Sequence, residues 1–252
     1  MRKTRFFFIL GFVWLLALPL LAQEKPGTVG MVFTVKPKAG MHQQFEQANK
    51  RHMDWHRQQK DTWTVTVWEI VSGEHIGNFG YGTFGHHWKD LDSHAKFDEA
   101  DTADYMTNVG PYVELLVARY YISHPELSRP MEGEVPLAEV VEYRLNMSGE
   151  SDFLMAVRKV YEAIQKSNYP VYYHLYELFN GGEHPTYVFV FPHKNWADFE
   201  PPEQSFRAML EKAYGRDEAE SILKLFDKSV HGVRSQIIAF RPDQSYVPPP
   251  AK

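Results

Sequence analysis

Two short stretches hold side chains that could do chemistry at strand spacing. In VYYHLYELF, Val171 to Phe179, the residues Tyr172, His174 and Tyr176 alternate with apolar neighbours. In LAEVVEYRL, Leu137 to Leu145, Glu142 and Arg144 alternate with Val141, Tyr143 and Leu145. Side chains along a strand point to opposite faces in turn, so each set shares one face. If the apolar set faces a helix layer, an acid, a guanidinium, an imidazole and two phenols face the other way. Glu142 paired with Arg144 would fix a guanidinium for a carboxylate or phenolate. His174 would shuttle a proton and Tyr176 would donate to a developing oxyanion. In TWTVTVWEI, Thr62 to Ile70, the alternation puts Thr66 and Trp68 opposite Val65 and Val67 and makes them further ligand-facing candidates.

Other histidines have the residue type and spacing of metal ligands. His52 and His56, in HMDWH, share a helix face as zinc sites require, but no Glu follows the first His as in metalloproteases. They read as core or flank residues, and the adjacent pair His86-His87 as solvated loop residues. No metal site is therefore expected. Nor does the chain carry a glycine-rich nucleotide loop, a Gly-x-Ser-x-Gly elbow or any cysteine.

The elements that must position these residues occur twice. SGEHIGNFGYGTFGHHWKDL, Ser72 to Leu91, is answered by NGGEHPTYVFVFPHKNWADF, Asn180 to Phe199. Both open on Gly-Glu-His and close on Trp-x-Asp followed by an apolar residue. The shared glycines read as turn residues, the glutamates and histidines as strand-entrance groups, and Trp88 and Trp196 as packing the entry of a second helical region against the sheet. Each half also ends on Pro, an acid, any residue and Ser: Pro125 to Ser128 and Pro242 to Ser245. Around these landmarks, each half reads strand, helix, strand, strand, helix, strand. The second helical region of the first half is expected from Trp88 to about Leu116, broken at Gly110-Pro111, with the closing strand from Ala118.

That order, β-α-β-β-α-β, is ferredoxin-like, and the predicted class is α+β. With the twin hairpin and Trp-x-Asp phrases, it resembles the dimeric α/β-barrel superfamily, which includes antibiotic-biosynthesis monooxygenase-like, EthD-like, NIPSNAP-like and chlorite-dismutase-like proteins. The resemblance implies two antiparallel sheets facing each other around a cavity, with helices outside, and here both sheets come from one tandem chain. It also implies three functional expectations. One is a lumen for a small hydrophobic or aromatic ligand, with the reaction undetermined. Another is an oxidoreductase, either a cofactor-independent monooxygenase or a haem enzyme with His174 or His193 as axial ligand. The third is a protein-interaction module. The cofactor stays unknown at this stage.

The expected organisation is a signal peptide at 1–22, a first repeat at 28–128, a linker at 129–136, a second repeat at 137–245 and a tail at 246–252. Arg2, Lys3 and Arg5 precede sixteen uncharged residues, Phe6 to Leu21, too short and too interrupted by Gly11 and Pro19 for a span. A periplasmic or secreted protein, free of the membrane after cleavage, follows. Without Arg2, Lys3 and Arg5, 24 basic side chains face 32 acidic ones, a charge near −8 that argues against nucleic acid. Aromatic residues make up 15% of the chain, which suits an aromatic-lined cavity. The expected partner is a small molecule, with an oligomer left open.

Overall fold

The computed structural model describes residues 27–250, so the predicted signal sequence lies outside the described residues. Alternating apolar residues make the first strand, β1 (Val29–Pro37), and the turn at Gly40 leads to helix α1 (His42–Gln59). The hairpin β2 (Thr66–Ser72) and β3 (Phe79–His86) follows, then α2 (Trp88–Asn108) and β4 (Val113–Ser123). Gly110-Pro111 ends the helical region in a single 3-10 turn. The chain then turns straight into β4, five residues before the Ala118 expected from sequence. Glu114 and Leu115, strong helix formers, are strand residues because β1 pairs with them, and Leu116 is the residue skipped where the register shifts.

The second half repeats the plan: β5 (Leu137–Leu145), α3 (Glu150–Ser167), β6 (His174–Asn180), β7 (Thr186–His193), α4 (Phe206–Tyr214), α5 (Arg216–Ser229) and β8 (Val230–Phe240). Within each half the sheet runs β4-β1-β3-β2 or β8-β5-β7-β6. The halves join through β2–β8 and β4–β6, closing a barrel in the order β1-β3-β2-β8-β5-β7-β6-β4. Among the described residues no helix is long and apolar enough to cross a membrane.

Two cores lie between the barrel wall and the helices. Phe45, Val67 and Phe79 centre the first; Phe153, Leu175 and Tyr187 centre the second. Val67 faces the helices, as its alternation with Thr66 and Trp68 required. The helix layers differ, however. Met209, Leu210, Ala219 and Ile222 bury α4 and α5, whereas no residue of α2 is buried.

The repeated Pro-acid-x-Ser segments are straps, each laid across the other half. Ser128 Oγ accepts from the Leu175 backbone N–H at 3.0 Å and donates to the His124 carbonyl at 2.7 Å. Ser245 Oγ accepts from Val67 N–H at 2.8 Å and donates to the Arg241 carbonyl at 2.8 Å. One residue further on, Arg129 pairs with Tyr173, and Tyr246 pairs with Val65. Tyr246 is fully buried in the first half's core, so the structured second half runs past the Ser245 boundary.

The hairpin glycines also sit at these seams. Gly73 and Gly181 both have φ +97°, and a Cβ on Gly181 would lie 2.3 Å from the Ala118 carbonyl of the facing half. The expected packing of the tryptophans holds for one only. Trp88 lies against Phe179 and Tyr120 on the strands, with ring centroids 4.8 and 5.8 Å away. Trp196 is 61% exposed and stacks on Phe199 within its own 3-10 turn. The second half opens this region with a short turn rather than a long helix, so no sheet surface lies beneath the ring.

Candidate functional site

The inward faces of the eight strands enclose a cavity of about 800 Å³, within the range usual for small-molecule sites. Its wall is largely apolar: Val32, Ile70, Val140, Val188, Val190 and Ile238 line it, with Trp68, Phe84 and Phe240 as aromatic panels. Glycine leaves the room. Gly80 faces the chamber with nothing within 4 Å of where a Cβ would stand, and a Cβ on Gly82 would meet the Trp68 ring at 2.7 Å.

Five of the seven residues predicted from sequence reach this chamber: Thr66, Trp68, Glu142, His174 and Tyr176. Arg144 and Tyr172 do not line it. Arg144 lies across Gly232, where a Cβ would sit 2.6 Å from the guanidinium, and its charge meets Glu183 at 3.4 Å. Tyr172 precedes β6, partly exposed under the Arg129 guanidinium, whose carbon is 4.9 Å from the ring centroid. The expected Glu142–Arg144 pair is therefore replaced. Glu142 bonds Arg119 at 2.9 Å instead.

Arg119 and Tyr121, on β4, are among the lumen residues that sequence reasoning missed, with His75, Glu134, Arg234 and Gln236. The alternation of Arg119 and Tyr121 with Tyr120 and Ile122 was the available signal. β4 and β5 are not neighbours, since β7 and β6 stand between them in the wall. The Arg119–Glu142 bond therefore crosses the chamber from one half to the other. Glu142 occupies one Arg119 nitrogen, while Nε is buried with no acceptor. A buried donor without a partner costs about 1–3 kcal/mol.

The other polar groups are tuned mainly by burial. Burial lowers the pKa of His174, so the ring is neutral at pH 7. It pushes the Tyr176 phenol up to about 12. Tyr121 is also raised by burial, with the Arg119 charge pulling the other way. The rings of His174 and Tyr176 stack with centroids 6.3 Å apart. The arrangement offers the Arg119–Glu142 pair, two protonated phenols and a neutral imidazole on a largely apolar wall that also carries Glu134, Arg234 and Gln236.

Haem, implied by part of the resemblance, needs an axial ligand. His193 lies off the lumen, its ring 3.8 Å from Phe199 and its Nδ1 facing the Asp198 carbonyl. His174 does face the lumen. Among the described residues, though, its ring bonds no carboxylate or carbonyl of the kind that orients a metal-bound imidazole. These donors do not fit haem. A separate set, His52, His56 and Asp101, stands outside the barrel between α1 and α2 and has the donor types of a metal centre. Nor is His86 solvated as expected: it is buried, bonded to Thr83 and stacked 3.8 Å from Trp63.

No family model matches the chain, and no curated protein matches it. Among solved structures it is similar to a putative monooxygenase from Lactobacillus acidophilus NCFM, at TM-score 0.55 and 9% identity over 88% of this chain and 96% of that one. It is similarly close to a mutant chlorite dismutase from Candidatus Nitrospira defluvii, at TM-score 0.56 and 9% identity over 88% and 93%. A putative monooxygenase from Fusobacterium nucleatum gives 0.54 and 9% over 86% and 94%. At such identities the likeness speaks for the fold, and it covers both halves together. The chain shares the fold of these structures, here a closed barrel of two ferredoxin-like halves supplied by one polypeptide.

Proposed function

We propose that this protein is exported through its first 22 residues and binds one small aromatic or hydrophobic anion inside the barrel. The observation that carries the reading is the chamber itself: about 800 Å³, apolar-walled, with the Arg119 Nε buried and lacking an acceptor. A flat ring would lie among Trp68, Phe84 and Phe240, and its carboxylate or phenolate would meet Arg119 and Tyr121. Titration calorimetry with substituted benzoates and phenols tests this, because Gly80→Leu narrows the chamber from a position whose Cβ meets nothing within 4 Å. Saturable binding by the wild type and clearly weaker binding by Gly80→Leu is expected. Undiminished binding by that variant would place the ligand elsewhere.

A catalytic reading is favoured by one specific pairing. A neutral His174 beside Tyr176 can accept a phenolic proton while the tyrosine donates to the oxygen left charged. That is the opening step a cofactor-independent oxygenation of a polyphenol requires. Oxygen uptake with anthrone-type substrates, lost in His174→Ala, is the expected result. No uptake with any of them leaves a binding protein.

A further inference from the structure

We infer that His52, His56 and Asp101 bind one divalent first-row transition-metal ion of the zinc class, which fastens α2 to α1. His52 and His56 are one helical turn apart on α1, and Asp101 reaches them from α2. Both rings are oriented from behind. His52 Nδ1 lies 2.7 Å from Asp104 Oδ1, and His56 Nδ1 lies 2.8 Å from Asp61 Oδ2. An ionised carboxylate only accepts, so each Nδ1 carries the hydrogen, which leaves Nε2 of each ring as the atom that would bind a metal. This carboxylate-backed imidazole is the usual support of a metal-binding histidine.

The two Nε2 atoms converge, 3.3 Å apart, and Asp101 Oδ1 lies 3.1 Å from each. With one Nε2 protonated the two rings hydrogen-bond each other across that gap; with neither protonated, three lone pairs converge on one point, as a cation requires. Zinc bonds to histidine nitrogen at about 2.0–2.1 Å and to carboxylate oxygen at about 2.0–2.2 Å, so neighbouring ligands of a tetrahedral ion stand ~3.3 Å apart. The observed triangle has that size. Three protein ligands leave a fourth position for water or a small ligand.

A proton is the rival occupant. Burial works against a charge on His56, but Asp101 and Asp61 outweigh it and raise the imidazole to about 9. A proton on one Nε2 would be taken up by the other ring across 3.3 Å, which leaves Asp101 unserved. Asp101 Oδ1 is shut off from solvent yet receives no well-directed hydrogen bond from either ring. Placed off the N–H axes but at ligand spacing, it suits an ion better.

The surrounding packing supplies an independent reason. No side chain of α2 is buried, while its counterparts α4 and α5 are fixed by Met209, Leu210, Ala219 and Ile222. The first half holds its helix layer through this polar cluster, with His94 adding a 3.1 Å contact to Asp61. Trp55, Phe97 and Tyr105 ring the two histidines and keep bulk water from the bonds.

The test uses the full mature protein, stripped with chelator, dialysed against Zn²⁺ and then against metal-free buffer. About one zinc per chain is expected in the wild type and under about a tenth of that in His56→Ala. Asp101→Asn, which keeps the shape of the side chain, guards against a variant that simply misfolds, and should lose the ion while retaining its circular dichroism. Zinc should also slow amide exchange along α2 in the wild type alone, and Co²⁺ should give the visible absorption of a tetrahedral site. A folded wild type that retains no zinc, or equal zinc in Asp101→Asn, overturns the assignment and leaves the proton in its place.

Discussion

Replacing Gly181 by alanine probes how the two halves close on each other. Gly181 has φ +97°, and the new methyl would lie 2.3 Å from the Ala118 carbonyl oxygen and 3.0 Å from the Arg119 Cα. Both are backbone atoms of β4 and cannot swing aside. The left-handed conformation alone costs an L-residue about 1–2 kcal/mol. Relief of the contact requires β6 to move from β4 near the Tyr120–Asn180 pair, losing on the order of one or two ladder bonds at about 1 kcal/mol each. The total is about 3 kcal/mol, or a fall in Tm of about 6–12 °C for a domain of this size. Gly40→Ala is the matched control, because Gly40 has φ +74° with nothing within 4 Å. It should lose only the conformational part, about 1 kcal/mol or 2–4 °C. Thermal unfolding followed by circular dichroism reads both. If the two variants melt within about 2 °C of each other, the seam is not closed as described and the reasoning fails.

Three further outcomes follow from the same geometry. Ser128→Ala and Ser245→Ala each leave a strand N–H, of Leu175 or Val67, without its acceptor, so each should cost about 1–3 kcal/mol in urea unfolding. Arg119→Gln removes the charge-assisted contact to a bound carboxylate, and calorimetry should show affinity for benzoates down about 10-fold or more while a neutral analogue binds unchanged. Asp243 is held well below the usual carboxylate range by its bonds to Arg241, burial opposing and Lys50 assisting. Its folded pKa lies under the unfolded value of about 4, so its contribution is present above that pH and lost as acid takes the pH through the folded value. Asp243→Asn should therefore melt below wild type at pH 7, with the gap closing on acidification.

What could be read in advance was local and repeated. Alternation put Val67 on the helix side and Trp68, Glu142, His174 and Tyr176 on the inner side, and the structure agrees. The twice-written element order carried the barrel because two sheets with one bare face each must cover it. What escaped was relational. Glu142 meets Arg119 only because closure brings nonadjacent strands across a chamber, and no spacing along the chain encodes that distance. Arg144 shares the strand face of Glu142, yet two residues further along it has reached the rim, where Gly232 and Glu183 take it. His52 and His56 read as core or flank residues and are buried, but the partners of His56, which are Asp61, Asp101 and Tyr246, come from a loop, another helix and the far end of the chain and had no local signal.

The straps make the two halves interlocked rather than merely adjacent. Each ends by stitching itself into its sibling, Arg129 against Tyr173 and Tyr246 against Val65, while Glu132 and Gly133 between them lie exposed. A protease nick at Gly133 would cut the covalent tether and still leave both fragments clasped at two opposite seams. Expressed apart, neither fragment would own the edge its last residues pair with, so a single chain supplies each half with its companion at equal dose.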